Sequence, residues 1–93
     1  MDQRIVELSD GNSMDVWPLH NKKVQVRALY EADGNRLFLE FTATLDQADR
    51  EDAFFRRITD LKTEVENPDT LSYFRRDGLW LYYRNIMFIK EAV

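Results

Sequence analysis

Residues 24–43 read VQVRALYEADGNRLFLEFTA, two runs of alternating apolar and polar side chains on either side of Asp33-Gly34. Asp-Gly is typical of two-residue hairpin turns, because both central residues of a type I′ turn need a positive φ that Asp and Gly tolerate. With this turn, one face pairs apolar residues: Tyr30 with Leu37, Ala28 with Leu39, Val26 with Phe41 and Val24 with Ala43. The other face pairs Glu31 with Arg36, Leu29 with Phe38 and Arg27 with Glu40. A slip of one residue would destroy both sets, so the sequence predicts this hairpin and its register.

The other two glycines also follow aspartate. Asp77-Gly78 lies between Leu71–Arg76 and Leu79–Arg84 and predicts a second hairpin. One face of that hairpin has the composition of a core: Phe74, Leu79, Leu81 and Tyr83. The opposite face places Tyr73 across from Tyr82 and Arg75 across from Trp80, with Arg84 at its end. Asp10-Gly11 follows a short predicted strand, Arg4–Ser9, and indicates either a hairpin tip or a loop.

Between the two strong hairpins the pattern favours a helix. Thr44-Leu45-Asp46-Gln47 has a capping-box pattern, and four acidic residues lie at the end where a helix dipole favours them: Asp46, Asp49, Glu51 and Asp52. Apolar residues then recur at helical spacing: Phe54, Ile58, Leu61 and Val65. Asn67-Pro68 would end the helix. We therefore expect one amphipathic helix, about residues 46–66, packed on one face of the sheet.

Two shorter segments complete the predicted fold. Val16-Trp17-Pro18-Leu19 indicates a short extended piece at an edge, because proline cannot donate to a central ladder. Ile86–Ile89 is fully apolar and predicts a strand that is central or covered on both sides, with Asn85 as a bulge. The expected fold is a single α+β domain over residues 1–93. It has an antiparallel sheet of about five strands and one helix, in the order β-β-β-α-β-β.

One segment loosely resembles a known family. Tyr83-Arg84-Asn85-Ile86-Met87-Phe88-Ile89 is similar to the second motif of Sm-like RNA-binding barrels. Asn85 stands where that motif has glycine, and the predicted helix lies where that fold would run straight through its sheet. We therefore assign the chain to no family from its sequence.

Composition limits the chemistry of the chain. Its 93 residues suffice for one modest core, and 13 Lys plus Arg against 17 Asp plus Glu give a net charge of −4. The absence of cysteine excludes disulfides and thiol chemistry and favours a cytoplasmic protein. No apolar run is long enough for a membrane span, and the first residues do not resemble a signal peptide. We expect no cofactor, no metal and no membrane partner.

Three candidate sites have simpler structural explanations. His20 is the only histidine and lies in no catalytic motif, so we expect an ordinary loop residue rather than a catalyst. Asp10, Asn12 and Asp15 provide oxygen ligands but lack the bidentate glutamate of a calcium loop, so turn and cap roles are favoured. The acidic cluster at residues 46–52 could imitate a nucleic-acid backbone, but interspersed arginines favour a solvated helix start.

The main functional prediction concerns the face that carries Tyr73, Arg75, Trp80, Tyr82 and Arg84. Aromatic residues and arginine anchor protein interfaces, and they also stack on and neutralise single-stranded nucleic acid. The face could instead be covered by the amino-terminal segment or the helix, with arginine stems over the rings. We expect a non-catalytic protein-binding domain of the kind found in small regulators and inhibitors, including those of phages. Single-stranded nucleic-acid binding is the alternative, and a homodimer is a further option for the same face.

Overall fold

The computed structural model describes residues 3–32, 35–63 and 78–92. These ranges form seven antiparallel strands: β1 (Ile5–Glu7), β2 (Ser13–Asp15), β3 (Lys23–Ala32), β4 (Asn35–Ala48), β5 (Asp52–Thr63), β6 (Leu79–Tyr82) and β7 (Ile86–Glu91). Two single 3-10 turns lie at Trp17–Leu19 and Tyr83–Asn85. Strands β1 and β2 form a two-stranded sheet, and the other five form one sheet in the order β6-β5-β4-β3-β7.

The central hairpin has the predicted register. Strands β3 and β4 pair from Lys23 opposite Thr44 to Ala32 opposite Asn35, and the seven predicted cross-strand pairs are all present. Val24, Val26 and Ala28 on β3 are buried, as are Leu39, Phe41 and Ala43 on β4. The alternating pattern of the sequence therefore specified this part of the core correctly.

The five-stranded sheet curls, so that its two edge strands approach each other. Strands β6 and β7 lie at opposite edges, yet only the 3-10 turn Tyr83–Asn85 joins them along the chain. A link from Tyr82 to Ile86 can span at most about 14 Å, whereas a flat sheet of five strands at about 4.8 Å spacing would separate its edges by about 19 Å. The short turn therefore requires the curled shape.

The predicted helix over residues 46–66 is wrong. Strand β4 continues to Ala48, residues 49–51 reverse the chain, and β5 runs antiparallel to β4 from Asp52 to Thr63. Residues 64–66 of the predicted helix lie outside the described ranges. The acidic residues assigned to a helix start therefore lie at the β4–β5 connection and the strand ends beside it.

Two bulges explain why a strand has helix-like spacing. Glu40 and Thr42 are two residues apart on β4, but their partners on β5, Lys62 and Thr59, are three residues apart. The next pair, Thr44 with Arg56, again follows after two residues on β4 and three on β5. The inserted residues Asp60 and Arg57 have φ values of 53° and 58°, in the left-handed region. Each bulge lengthens the distance between inward-facing residues from two to three. The buried residues on β5 are consequently Ala53, Phe55, Ile58 and Leu61.

The fold class is corrected accordingly. The described part of the chain is antiparallel β and contains no α-helix, so the expected α+β architecture with the order β-β-β-α-β-β is not found.

The amino-terminal segment is a hairpin that closes onto the sheet. Strands β1 and β2 pair around Asp10-Gly11, where Gly11 has a φ of 84°. The following residues, Trp17–Leu19, form a 3-10 turn rather than the predicted extended piece, with Pro18 in its first turn. Proline is favoured there because its fixed φ suits a helical turn and its missing N–H needs no partner.

The carboxy-terminal region partly follows expectation. A strand at Leu79–Tyr82 is confirmed, but its described partner is β5; the predicted strand Leu71–Arg76 lies outside the described ranges. Strand β7 pairs with β3 and lies at an edge of the described five-stranded sheet, so the central position, one of the two predicted alternatives, is wrong. The bulge on β7 falls at Met87, because Arg27 and Ala28 pair with Phe88 and Ile86; Asn85 belongs to the 3-10 turn.

One buried cluster joins both sheets. Phe41 and Phe55 meet edge to face near its middle, with ring centroids 5.5 Å apart. The amino-terminal hairpin and its flanks add Val6, Leu8 and Val16 to this cluster. Within the described ranges, no helix has the length and apolar character needed to cross a bilayer.

Candidate functional site

Three side chains of the predicted face lie together at the surface. Trp80 and Tyr82 are 45% and 49% exposed, and Arg84 follows them in the 3-10 turn. Leu79 and Leu81 between them are buried, as strand alternation requires. We call Trp80, Tyr82 and Arg84, with the adjoining Phe54, the Trp80 surface. The predicted separation of an inner and an outer face on this strand is confirmed for residues 79–83.

Phe54 extends the exposed aromatic area onto the neighbouring strand. It lies directly across from Trp80, and the two rings are 5.1 Å apart with planes tilted by 39°. Tilted aromatic pairs at this distance are favourable and restrict both rings. Sequence reasoning missed Phe54 because it assigned this residue to the buried stripe of a helix. A strand assignment would have placed it on the outer face, between Ala53 and Phe55.

Gly78 allows the two strands to meet at this point. A Cβ atom at Gly78 would lie 2.6 Å from Cζ of Phe54 and 2.8 Å from the carbonyl oxygen of Phe55. The φ of Gly78 is 79°, which side chains other than glycine rarely adopt. Both observations make glycine a requirement for the position of the Phe54 ring beneath Trp80.

Arg84 is held against the second exposed ring. Its guanidinium carbon lies 5.5 Å from the centroid of the Tyr82 ring, a cation–π distance. The contact orients a charged, multivalent hydrogen-bond donor beside the aromatic pair. The surface thus combines apolar area with one directed polar group, which is the composition of an interface anchor.

Polar residues border the Trp80 surface. Asp52 lies across from Tyr82. Farther along β5, Arg56 forms an ion pair with Asp46 at 2.9 Å. An apolar centre with a charged rim is the usual arrangement of a protein interface. Tyr73 and Arg75, the other two predicted members of the face, lie outside the described residues.

His20 has a structural environment. Its Nε2 atom is 2.9 Å from the carbonyl oxygen of Asp46, so the ring donates this hydrogen bond. The imidazole also stacks on Trp17 with ring centroids 4.7 Å apart. These contacts tie the 3-10 turn to β4, and they leave His20 without a described carboxylate or nucleophile as a partner.

The aspartates of the first hairpin act as hydrogen-bond acceptors in its turns, and neither is the N-cap of the 3-10 turn, which is Val16. The Asp10 carboxylate accepts hydrogen bonds from the Asn12 backbone N–H and side-chain amide, and the backbone bond contributes most to lowering the pKa of Asp10. Asp15 Oδ1 accepts from the backbone N–H groups of Arg4 and Trp17. Among the described residues, no group of three or more His, Cys, Asp or Glu side chains could hold a metal ion.

Comparison with known proteins adds no functional assignment. No protein-family model matches the chain, and neither the curated proteins nor the solved structures include a significant match.

Proposed function

We propose that this chain is a non-catalytic protein-binding domain and that the Trp80 surface occupies part of a partner protein's surface. The observation that carries the proposal is the pair of half-exposed rings, Trp80 and Tyr82, held two residues apart on β6, an edge strand of the sheet that the described residues form. Exposing such rings is unfavourable in an isolated soluble domain, and their burial in a complex recovers that free energy.

The arrangement also suits tight binding. Phe54 and Arg84 restrain the two rings, so little side-chain entropy is lost when a partner covers them. Tryptophan, tyrosine and arginine are the residue types that most often dominate the binding energy of protein interfaces. The proposal therefore predicts a small, pre-organised anchor and not a large flat contact.

Composition supports the biological setting of this proposal. A short acidic chain without cysteine and without a catalytic motif is typical of cytoplasmic regulators and inhibitors, including those carried by phages. Such a protein acts by covering a site on its partner. The proposed partner is another protein, with no cofactor and no metal involved.

The test is affinity capture from source cells, in which the proteins captured by the tagged wild-type chain are compared with those captured by its variants. Trp80→Ala and Tyr82→Ala should each weaken capture of the specific partner, by about 30-fold in affinity for a central anchor. Ile5→Ala is the matched control, because Ile5 is a large apolar residue that is 60% exposed and lies in the other, two-stranded sheet. Circular dichroism and thermal unfolding establish that each variant is folded.

Three outcomes would overturn the proposal. Undiminished capture by the folded Trp80→Ala and Tyr82→Ala variants would show that the partner binds elsewhere. Sedimentation that reveals a dimer lost in Trp80→Ala would identify the partner as a second copy of this chain. Nuclease-sensitive capture that Trp80→Ala abolishes would indicate nucleic acid on this surface instead of protein.

A further inference from the structure

A second outward-facing surface lies at the far end of the sheet. We call it the basic face, and it consists of Arg27, Phe38, Lys62, Phe88 and Lys90. The three cations are exposed and the two rings are half-buried. All five point outward, because their neighbours in the strands are buried: Val26, Ala28, Leu39, Leu61 and Ile89. Along β5, Lys62 is eight residues from Phe54, and because two of these residues are bulge insertions the distance is about 20 Å, so the two surfaces are separate on this strand.

The members of the basic face come from four adjacent strands. Phe88 pairs with Arg27, Arg27 with Glu40, and Glu40 with Lys62, in one row across β7, β3, β4 and β5. This row is about 14 Å long at normal strand spacing. Arg27, Phe38, Glu40 and Lys62 also line an open cleft of about 250 Å³.

Two of the three cations are held over the rings, and none of the three forms an ion pair within the described residues, although Glu40 lies across from Arg27 and Lys62. The guanidinium carbon of Arg27 lies 4.9 Å from the Phe38 centroid, and Nζ of Lys90 lies 5.5 Å from the Phe88 centroid. Among the described residues, the ion pairs are Lys22 with Glu91 and Arg56 with Asp46, and neither involves a cation of the basic face. The positive charge of Arg27, Lys62 and Lys90 is therefore available to a ligand.

The charge of this face opposes that of the molecule. Its three cations and the intervening Glu40 give +2, whereas the whole chain carries −4, so the remainder carries −6. A polyanion is attracted to the basic face and repelled by the rest of the surface. The electrostatic field of the molecule therefore directs an anionic ligand to this side of the sheet.

From this juxtaposition we infer that the basic face binds single-stranded nucleic acid, independently of the Trp80 surface. Arginine and lysine contact phosphates, and the Phe38 and Phe88 rings or the Arg27 guanidinium plane stack unpaired bases. An acidic peptide would satisfy the cations but would gain little from the rings. A sheet face with two aromatic residues accommodates two or three stacked bases.

Fluorescence anisotropy with labelled oligouridylate and oligothymidylate tests the inference. Three phosphate contacts predict a slope of about −2 for the logarithm of affinity against the logarithm of salt concentration, since each contact on a single strand contributes about −0.7. Affinity should therefore fall about 20-fold between about 50 mM and about 200 mM salt. The variant Arg27→Gln/Lys62→Gln/Lys90→Gln should lose both the binding and the salt dependence.

Two further variants separate this surface from general effects. Arg50→Gln/Arg56→Gln/Arg84→Gln makes the same change in net charge at exposed cations outside the basic face and should retain most of the binding. Phe88→Leu keeps an apolar side chain but removes a stacking ring. It should weaken binding about tenfold without changing the salt slope. Circular dichroism and thermal unfolding check that each variant is folded.

Several results would overturn the inference. The first is no change in anisotropy at low salt with the wild-type chain. The second is a larger loss of binding in the control triple variant than in the basic-face variant. That result would show that the oligonucleotide binds at the Trp80 surface or responds to the net charge of the whole molecule. The third is competition by polyglutamate as effective as that by unlabelled oligonucleotide, together with unchanged binding in Phe88→Leu, which would identify a site for acidic peptides.

Discussion

The buried hydroxyl group of Tyr83 reduces the stability of the fold. The residue is only 2% exposed, and its hydroxyl has no hydrogen-bond partner within the described structure. A buried hydroxyl without a partner costs about 1–3 kcal/mol relative to its hydrated state. Burial also raises the pKa of Tyr83 strongly, an effect that Asp49 and Asp52 reinforce and Arg4 partly opposes.

The raised pKa predicts a loss of stability at alkaline pH. A folded-state pKa above the unfolded value of about 10 means that stability is complete below pH 10 and decreases as the pH rises further. Tyr83→Phe removes both the unpartnered hydroxyl and this titration. We expect urea unfolding at pH 7 to show a gain of about 1 kcal/mol, and the decrease above pH 10 to become smaller.

Tyr82→Phe is the matched control for that substitution. Tyr82 is the preceding residue and is half exposed, so removal of its hydroxyl should change the free energy of unfolding by less than about 0.5 kcal/mol. A loss of stability in Tyr83→Phe, with no loss in Tyr82→Phe, would mean that the Tyr83 hydroxyl has a hydrogen-bond partner in solution.

Residue-level prediction from the sequence succeeded where alternation was regular. The outward positions of Trp80 and Tyr82 and the buried positions of Leu79 and Leu81 follow from a period of two and were predicted correctly. Arg27 and Phe38 were also placed correctly on the outer face of the first hairpin. Lys62 could not be joined to them, because it was assigned to a helix. The basic face was therefore not recognisable before the structure.

Strand β5 is the element that sequence reasoning could not identify. Its two bulges give its buried residues Phe55, Ile58 and Leu61 a spacing of three, close to the 3.6-residue period of a helix. No glycine marks either bulge, since Arg57 and Asp60 occupy the left-handed positions. The usual sequence signal of a bulge is therefore missing, and a regular helical pattern was the simplest interpretation.

The strained bulge residues lead to a prediction at Arg57. A side chain at its φ of 58° is disfavoured by about 1–2 kcal/mol, whereas glycine adopts this conformation without that penalty. Arg57→Gly should therefore be more stable than Arg57→Ala by about 1 kcal/mol in urea unfolding. Both variants lose the same exposed side chain, so their difference isolates the backbone.

Thr59, a paired residue between the two bulges, provides the reference for that comparison. At Thr59, which has no positive φ, alanine should be more stable than glycine because glycine loses more conformational entropy on folding. The order of the two substitutions should reverse between positions 57 and 59. The same order at both positions would show that Arg57 is not held in the left-handed conformation in solution.

At the scale of the whole molecule, the prediction of the β3–β4 hairpin is confirmed, but closure of the sheet was not predicted. The turn signals at Asp33-Gly34 specify neighbouring strands, which are local relations. The relation between β6 and β7 depends on the curl of the sheet, and no short-range pattern encodes it. The placement of β7 at an edge, rather than in a central position, is a consequence of this global geometry.

The amino-terminal hairpin tests whether the described parts form one cooperative unit. Val16 follows β2 and is completely buried, together with Val26 from the centre of the large sheet. Val16→Ala should reduce the free energy of unfolding by about 2 kcal/mol, as Val26→Ala does, because each removes two buried carbon atoms and leaves a cavity. Ile5→Ala, at an exposed position of β1, should change it by less than about 0.5 kcal/mol.

Unfolding followed by circular dichroism and by tryptophan fluorescence should give coincident transitions in all three variants, because Trp17 and Trp80 report on opposite ends of the chain. An early separate transition in Val16→Ala would show instead that the hairpin folds and unfolds independently of the five-stranded sheet.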